Sequence, residues 1–142
     1  MSALTRLLFR YPGEPMTTPT VIRWWESRRP AFNYAVGAAG LVTVGAIELF
    51  SLLPPHAHPL GLGELVPGVV AYGVLANVCY TGGWITELGL RRLLHDGRSS
   101  DDLAPVGATV FRYGLVFSVG LTLFPIVFAA LGWLARLARL VF

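Results

Sequence analysis

The stretch YGLVFSVGLTLFPIVFAALGWL, Tyr113–Leu134, contains no Asp, Glu, Lys, Arg or His. A helix rises 1.5 Å per residue, so about 20 residues cross a hydrocarbon core of roughly 30 Å. This run meets that length, and two others match it. Ala31–Leu53 holds Glu48 as its one charged residue, and Leu65–Leu88 holds only Glu87. The expectation is an all-α integral membrane protein with three transmembrane helices, at about 31–53, 65–88 and 113–134.

Composition agrees. Charged residues make up 13% of the 142, about half the share of a soluble domain. Mean hydropathy is +0.61, too high for a chain that must cover itself with polar groups. The length allows one bundle and no second domain. All cationic residues are arginines, with no Lys and no Gln in the chain and four Ile. That bias suggests a GC-rich, bacterial source. Cys79 stands alone, so an internal disulfide is excluded. Residues 1–20 lack an apolar core of the length a signal peptide needs. The first span is then the expected insertion signal, Met16 is a second candidate start, and residues 1–19 are expected to be mobile.

Cations near span ends set orientation. Arg6, Arg10, Arg23, Arg28 and Arg29 precede the first span, and Arg91, Arg92, Arg98 and Arg112 flank the second connection. Only Arg136 and Arg139 fall on the opposite side. The imbalance predicts a multi-pass protein of the bacterial cytoplasmic membrane, N-terminus inside and C-terminus outside.

The span ends carry anchoring residues. Trp24 and Trp25 precede the first span, Trp84 lies near the end of the second and Trp133 near the end of the third. Indole rings favour the headgroup layer. Trp24, Trp25, Arg28 and Arg29 are therefore expected to contact lipid or a partner, on a short amphipathic helix or turn over Thr20–Arg29. Pro30 suits the first turn of the first span. The connection Pro54–Glu64 is rich in turn residues. Ser99, Ser100, Asp101 and Asp102, ahead of Leu103, are candidate caps for the third helix.

Within the spans, small and hydrogen-bonding residues recur at helical spacing. Asn33, Gly37, Gly40 and Val44 form one stripe, Gly73, Asn77 and Thr81 a second, and Gly114, Ser118 and Thr122 a third. They read as packing seams, as ligands in a polar pathway, or as a self-association face. A carboxylate inside a span is costly unless protonated, paired or hydrated. Glu48, Tyr72, Asn77 and Thr81 are thus a candidate intramembrane polar site, with Tyr72 a potential donor to Glu48. Glu48 is otherwise a structural acid that reaches outward to the interface. Glu87 and Arg112 are a candidate ion pair at the inner boundary, and pairing with a headgroup or partner is the alternative.

His56 and His58, with Glu64 beyond them, form an incomplete set for zinc and read as solvent-exposed. His95, Asp96, Ser99 and Ser100 lie on a short polar loop that offers no rigid, shielded site for a triad. No phosphate loop, zinc-protease or nucleophile-elbow motif occurs. The expectation is a protein that is not an enzyme and uses no metal or cofactor. The arginines are dispersed along span edges and do not form a nucleic-acid patch.

The box Trp24-Trp25-Glu26-Ser27-Arg28-Arg29 with Phe32-Asn33-Tyr34 resembles a group of short bacterial integral membrane proteins for which no activity is known. Ala76-Asn77-Val78-Cys79-Tyr80 with Gly83-Trp84 is similar to their second block. Phe111-Arg112-Tyr113-Gly114-Leu115 with Phe117-Ser118 is similar to their third. The resemblance covers residues 22–128 and implies a shared fold and a bacterial origin, without an activity. Two function classes follow. One is an accessory or scaffold protein that binds a membrane protein partner, a second copy of itself or lipids. The other is a small oligomeric transporter or channel using Glu48 and the Asn77/Thr81 stripe.

Overall fold

The computed structural model describes residues 17–94 and 104–141. Five helices follow in order: α1, Thr18–Glu26; α2, Arg29–Leu52; α3, Leu62–Leu94; α4, Ala104–Leu123; and α5, Pro125–Val141. There is no strand among the described residues. The protein is all-α, and three helical stretches are long and apolar enough to cross a membrane: Thr18–Leu52, Leu62–Leu93 and Val106–Val141.

At most 17% of the apolar window in any of these stretches is buried within the chain. Leu41, Val42, Val70, Val74, Phe117 and Phe128 are all more than half exposed. In water such continuous apolar surface drives aggregation. In lipid it is the ordinary outer face of a span, because the surrounding tails are equally apolar.

The helices differ from the expected spans mainly in length. α1 covers most of the expected interfacial segment, with Val21, Trp24 and Trp25 buried at i, i+3 and i+4. It starts at Thr18 and so takes in the last two residues of the segment read as mobile; residues 1–16 lie outside the described residues, as do 95–103 with their candidate cap and polar loop. α2 opens at Arg29 with Pro30 in its first turn, where the missing N–H is harmless. α3 starts three residues earlier and ends six later than the expected second span. Glu64 falls in its first turn and Arg91 and Arg92 in its last, each matching the sign of the helix dipole. The third span begins nine residues early and is broken at Phe124. Pro125 explains the break, since it cannot donate to Leu121 and its ring crowds that carbonyl.

Two compact units share these helices. Among the described residues the first comprises 17–33, 76–94 and 104–116, the second 34–75 and 117–141. In the first, Trp24, Trp25, Phe32, Tyr80 and Phe111 form an aromatic cluster, with ring centroids 4.7–6.4 Å apart in the contacting pairs. In the second, Val36, Ala39 and Thr43 bury one face of α2. The Thr43 hydroxyl donates to the Thr122 carbonyl at 2.7 Å, with the Ala39 carbonyl at 3.0 Å. Thr122 lies in the last turn of α4, where carbonyls lose their intrahelical partner. At the far end of α2, Arg136 donates to the carbonyls of Phe50 (2.8 Å) and Pro55 (3.1 Å). Trp133 donates to Pro54 at 3.1 Å.

The Thr43 bond gives a direct test. Thr43→Val keeps the shape and deletes the donor, leaving a buried carbonyl unsatisfied. Thermal unfolding in detergent should show a loss of about 1–2 kcal/mol. Thr43→Ser should lose less than half of that. Equal losses would place the cost in the methyl group's packing.

Candidate functional site

The polar chemistry of the first unit gathers around α1. Trp24 and Trp25 were expected at the lipid headgroups, yet they are 4% and 3% exposed. An indole suits an interface because it joins an apolar body to one polar edge, and the same property suits a core that holds an acceptor. Here the acceptor is Glu87, which receives the Trp25 Nε1–H at 2.6 Å. The Trp25 carbonyl accepts the Tyr80 hydroxyl. The indoles are internal fasteners between α1, α3 and α4.

Glu87 is fully buried. Its second oxygen takes the Arg91 Nε at 2.7 Å. The expected partner, Arg112, is exposed and has no ion pair among the described residues. The reason is helical geometry. Successive side chains diverge by about 100° around a helix, and Phe111, at 1% exposure, occupies the inward direction. Arg91 lies one turn beyond Glu87 on the same helix, where i,i+4 pairs meet without interhelical reach.

Arg28 and Arg29 have separate tasks. The Arg28 guanidinium lies 3.9 Å from the Trp24 ring centroid and donates to the Trp24 carbonyl at 2.9 Å. Ser27 donates to the same carbonyl at 2.7 Å, so the last turn of α1 is capped by side chains. Arg29 grips Glu26 through two bonds of 2.7 and 2.8 Å. It also donates to Asn77 Oδ1 and Thr81 Oγ1, both at 3.2 Å, and lies 4.9 Å from the Tyr80 ring centroid. The Asn77/Thr81 stripe therefore does meet, around a guanidinium. Thr81 passes its own proton to the Asn77 carbonyl at 3.0 Å.

In the second unit Glu48 and Tyr72 do not pair. Glu48 is half-buried and accepts the Leu60 backbone N–H at 3.2 Å. It thereby pins the connection ahead of α3. Tyr72 donates to Thr122 Oγ1, whose proton goes to the Ser118 carbonyl at 2.6 Å. Thr122 thus accepts from two helices, Tyr72 at its hydroxyl and Thr43 at its carbonyl.

Two features escaped the sequence reading. Gly83 faces Trp25 so closely that a Cβ there would lie 2.8 Å from two ring carbons. The Trp84 indole N–H is buried without an acceptor among the described residues, although the residue as a whole is half-buried. Gly83 left no local signal, because Gly82 beside it has open space. His56, His58 and Cys79 are exposed. No group of three or more His, Cys, Asp or Glu among the described residues is arranged to hold a metal ion.

No family model matches the chain, and no curated protein or solved structure compared with it shows significant similarity.

Two measurements probe the buried pair. In a double-mutant cycle, Trp25→Phe and Glu87→Gln should couple by on the order of 1–3 kcal/mol, whereas Arg112→Gln and Glu87→Gln should add within about 0.5 kcal/mol. Coupling to Arg112 and none to Trp25 would reverse the assignment. Gly83→Ala should destabilise by about 1–3 kcal/mol through overpacking against Trp25, while Gly82→Ala should be near neutral in the same unfolding assay.

Proposed function

We propose that this protein is a small, non-enzymatic accessory or scaffold protein of a bacterial cytoplasmic membrane, binding a membrane protein partner, a second copy or lipids. The observation that carries this reading is the engagement of the span's polar groups. Asn77 and Thr81 hold Arg29, Tyr72 holds Thr122, and Glu48 holds the Leu60 N–H. A translocation pathway needs polar groups turned toward water, whereas these groups tie helices and connections together. The faces left outward are apolar, as lipid or a membrane partner requires. The resemblance to short bacterial membrane proteins is consistent with this role and adds no activity.

A second reading, an oligomeric transporter or channel, rests on Glu48. Its carboxylate is half-buried near the end of α2, and an ionisable group in a span is a functional candidate. The two readings separate on one variant. In reconstituted vesicles, the wild-type protein should pass ions no faster than empty vesicles. Glu48→Gln should insert normally and lose little function, because an amide oxygen can still accept the Leu60 N–H. A proton or cation flux abolished by Glu48→Gln in a well-folded protein would overturn the accessory role in favour of the transporter.

For orientation, we infer an inside N-terminus and an outside C-terminus from the arginine imbalance. A reporter active only in the periplasm, fused to Phe142, should be active. A cytoplasm-only reporter active at that position would reverse the assignment.

A further inference from the structure

The two units differ in charge. Among the described residues the first holds six arginines, Arg23, Arg28, Arg29, Arg91, Arg92 and Arg112, against two glutamates, Glu26 and Glu87. The second holds two arginines against two glutamates. Both acids of the first unit are already paired, Glu26 with Arg29 and Glu87 with Arg91. Arg28 lies over Trp24. Arg23, Arg92 and Arg112 remain exposed, each without a side-chain acceptor among the described residues.

The aromatic cluster fixes these three near one level. Trp24 and Trp25 both touch Phe111, with centroids 5.9 and 5.7 Å away, and Trp25 is bonded to Glu87. α1, α3 and α4 therefore meet at that depth. Arg23 adjoins Trp24, Arg112 adjoins Phe111, and Arg92 lies five residues past Glu87, about 7 Å along the helix. The headgroup region adds roughly 5–8 Å on each side of the hydrocarbon core. The helix positions of these three arginines, on three helices, thus lie within about the thickness of one such layer from the cluster.

We infer that Arg23, Arg92 and Arg112 form a collar that binds the phosphodiester headgroups of anionic glycerophospholipids. The chemistry is specific to that class. A guanidinium presents a planar fork that matches two phosphate oxygens, and the absence of lysine leaves guanidinium as the only cationic head in the chain. A zwitterionic headgroup brings its own cation and gains less from the collar. The exposed apolar faces beside the arginines accept the acyl chains. The inference rests on the membrane-resident reading above and gives its lipid arm a headgroup.

The test uses the full chain in phosphatidylcholine nanodiscs with increasing phosphatidylglycerol, read by the thermal unfolding midpoint and by lipid retention in native mass spectrometry. Phosphatidylglycerol should raise the midpoint and be retained over phosphatidylcholine. A juxtamembrane arginine contributes about fivefold in affinity, so Arg23→Gln/Arg92→Gln/Arg112→Gln should lower that preference by at least about tenfold. The corresponding triple Lys variant should keep part of it, and Arg139→Gln, an exposed cation of the second unit, should keep all of it. Equal retention of the two lipids would overturn the collar. So would a triple Gln variant with undiminished preference, a triple Lys variant as deficient as the Gln one, or an equal loss in Arg139→Gln. Inorganic phosphate in phosphatidylcholine discs should leave the midpoint unchanged, and an equal rise there would replace the lipid with a free anion. Any of these failures leaves the accessory role standing, because vesicle flux tests that role independently.

Discussion

A carboxylate that no solvent reaches holds the first unit together. Glu87 takes an indole N–H from α1 on one oxygen and a guanidinium from its own helix on the other. A buried charge left alone is costly, and removing one partner of such a group is worse than never having had it. Trp25 therefore has little freedom to leave. Its ring in turn seats against Phe111 and Tyr80, and its carbonyl receives the Tyr80 hydroxyl. The nine-residue α1 is too short to be stable as an isolated helix. It persists because its apolar stripe and one indole proton have fixed destinations on α3 and α4.

How far the chain could be read in advance depended on range. Three apolar runs of sufficient length announce three spans whatever their neighbours, since the bilayer sets the length. The i, i+3, i+4 spacing of Val21, Trp24 and Trp25 likewise marks α1 locally. Partners across helices were not legible. Glu87 has arginines available at 91 and 112, and choosing between them requires knowing that Phe111 faces inward. Trp24 and Trp25 satisfy the compositional rule for a headgroup anchor as well as the rule for a core, and only the position of Glu87 separates the two. Pro125 sits in plain view within the quoted run, yet counting length alone passes over the break it makes. The Asn77/Thr81 stripe was visible as a pattern. That Arg29, 48 residues away in sequence from Asn77, would fill it was not.

The arginines are not interchangeable in this fold. Arg29 serves as a hub that joins Glu26 to two α3 side chains. Arg28 closes the end of α1, and Arg91 balances a buried acid. The roles of Arg28 and Arg29 favour guanidinium over ammonium, because each uses several N–H donors in one plane or a flat face against a ring. A chain whose cations are all arginine can assign some to internal structure and leave others at the surface without changing residue type.

The clasp made by Trp133 and Arg136 has a consequence for biosynthesis. Their acceptors, Phe50, Pro54 and Pro55, lie 79 to 86 residues earlier in the chain. At synthesis rates of about 5–20 residues per second, the connection after α2 emerges several seconds before its donors exist. Through that interval the carbonyls at Phe50, Pro54 and Pro55 have only water or headgroups to bind. The turn between α2 and α3 is thus completed only once α5 has been made, and α5 acts as the latch of a connection laid down well before it.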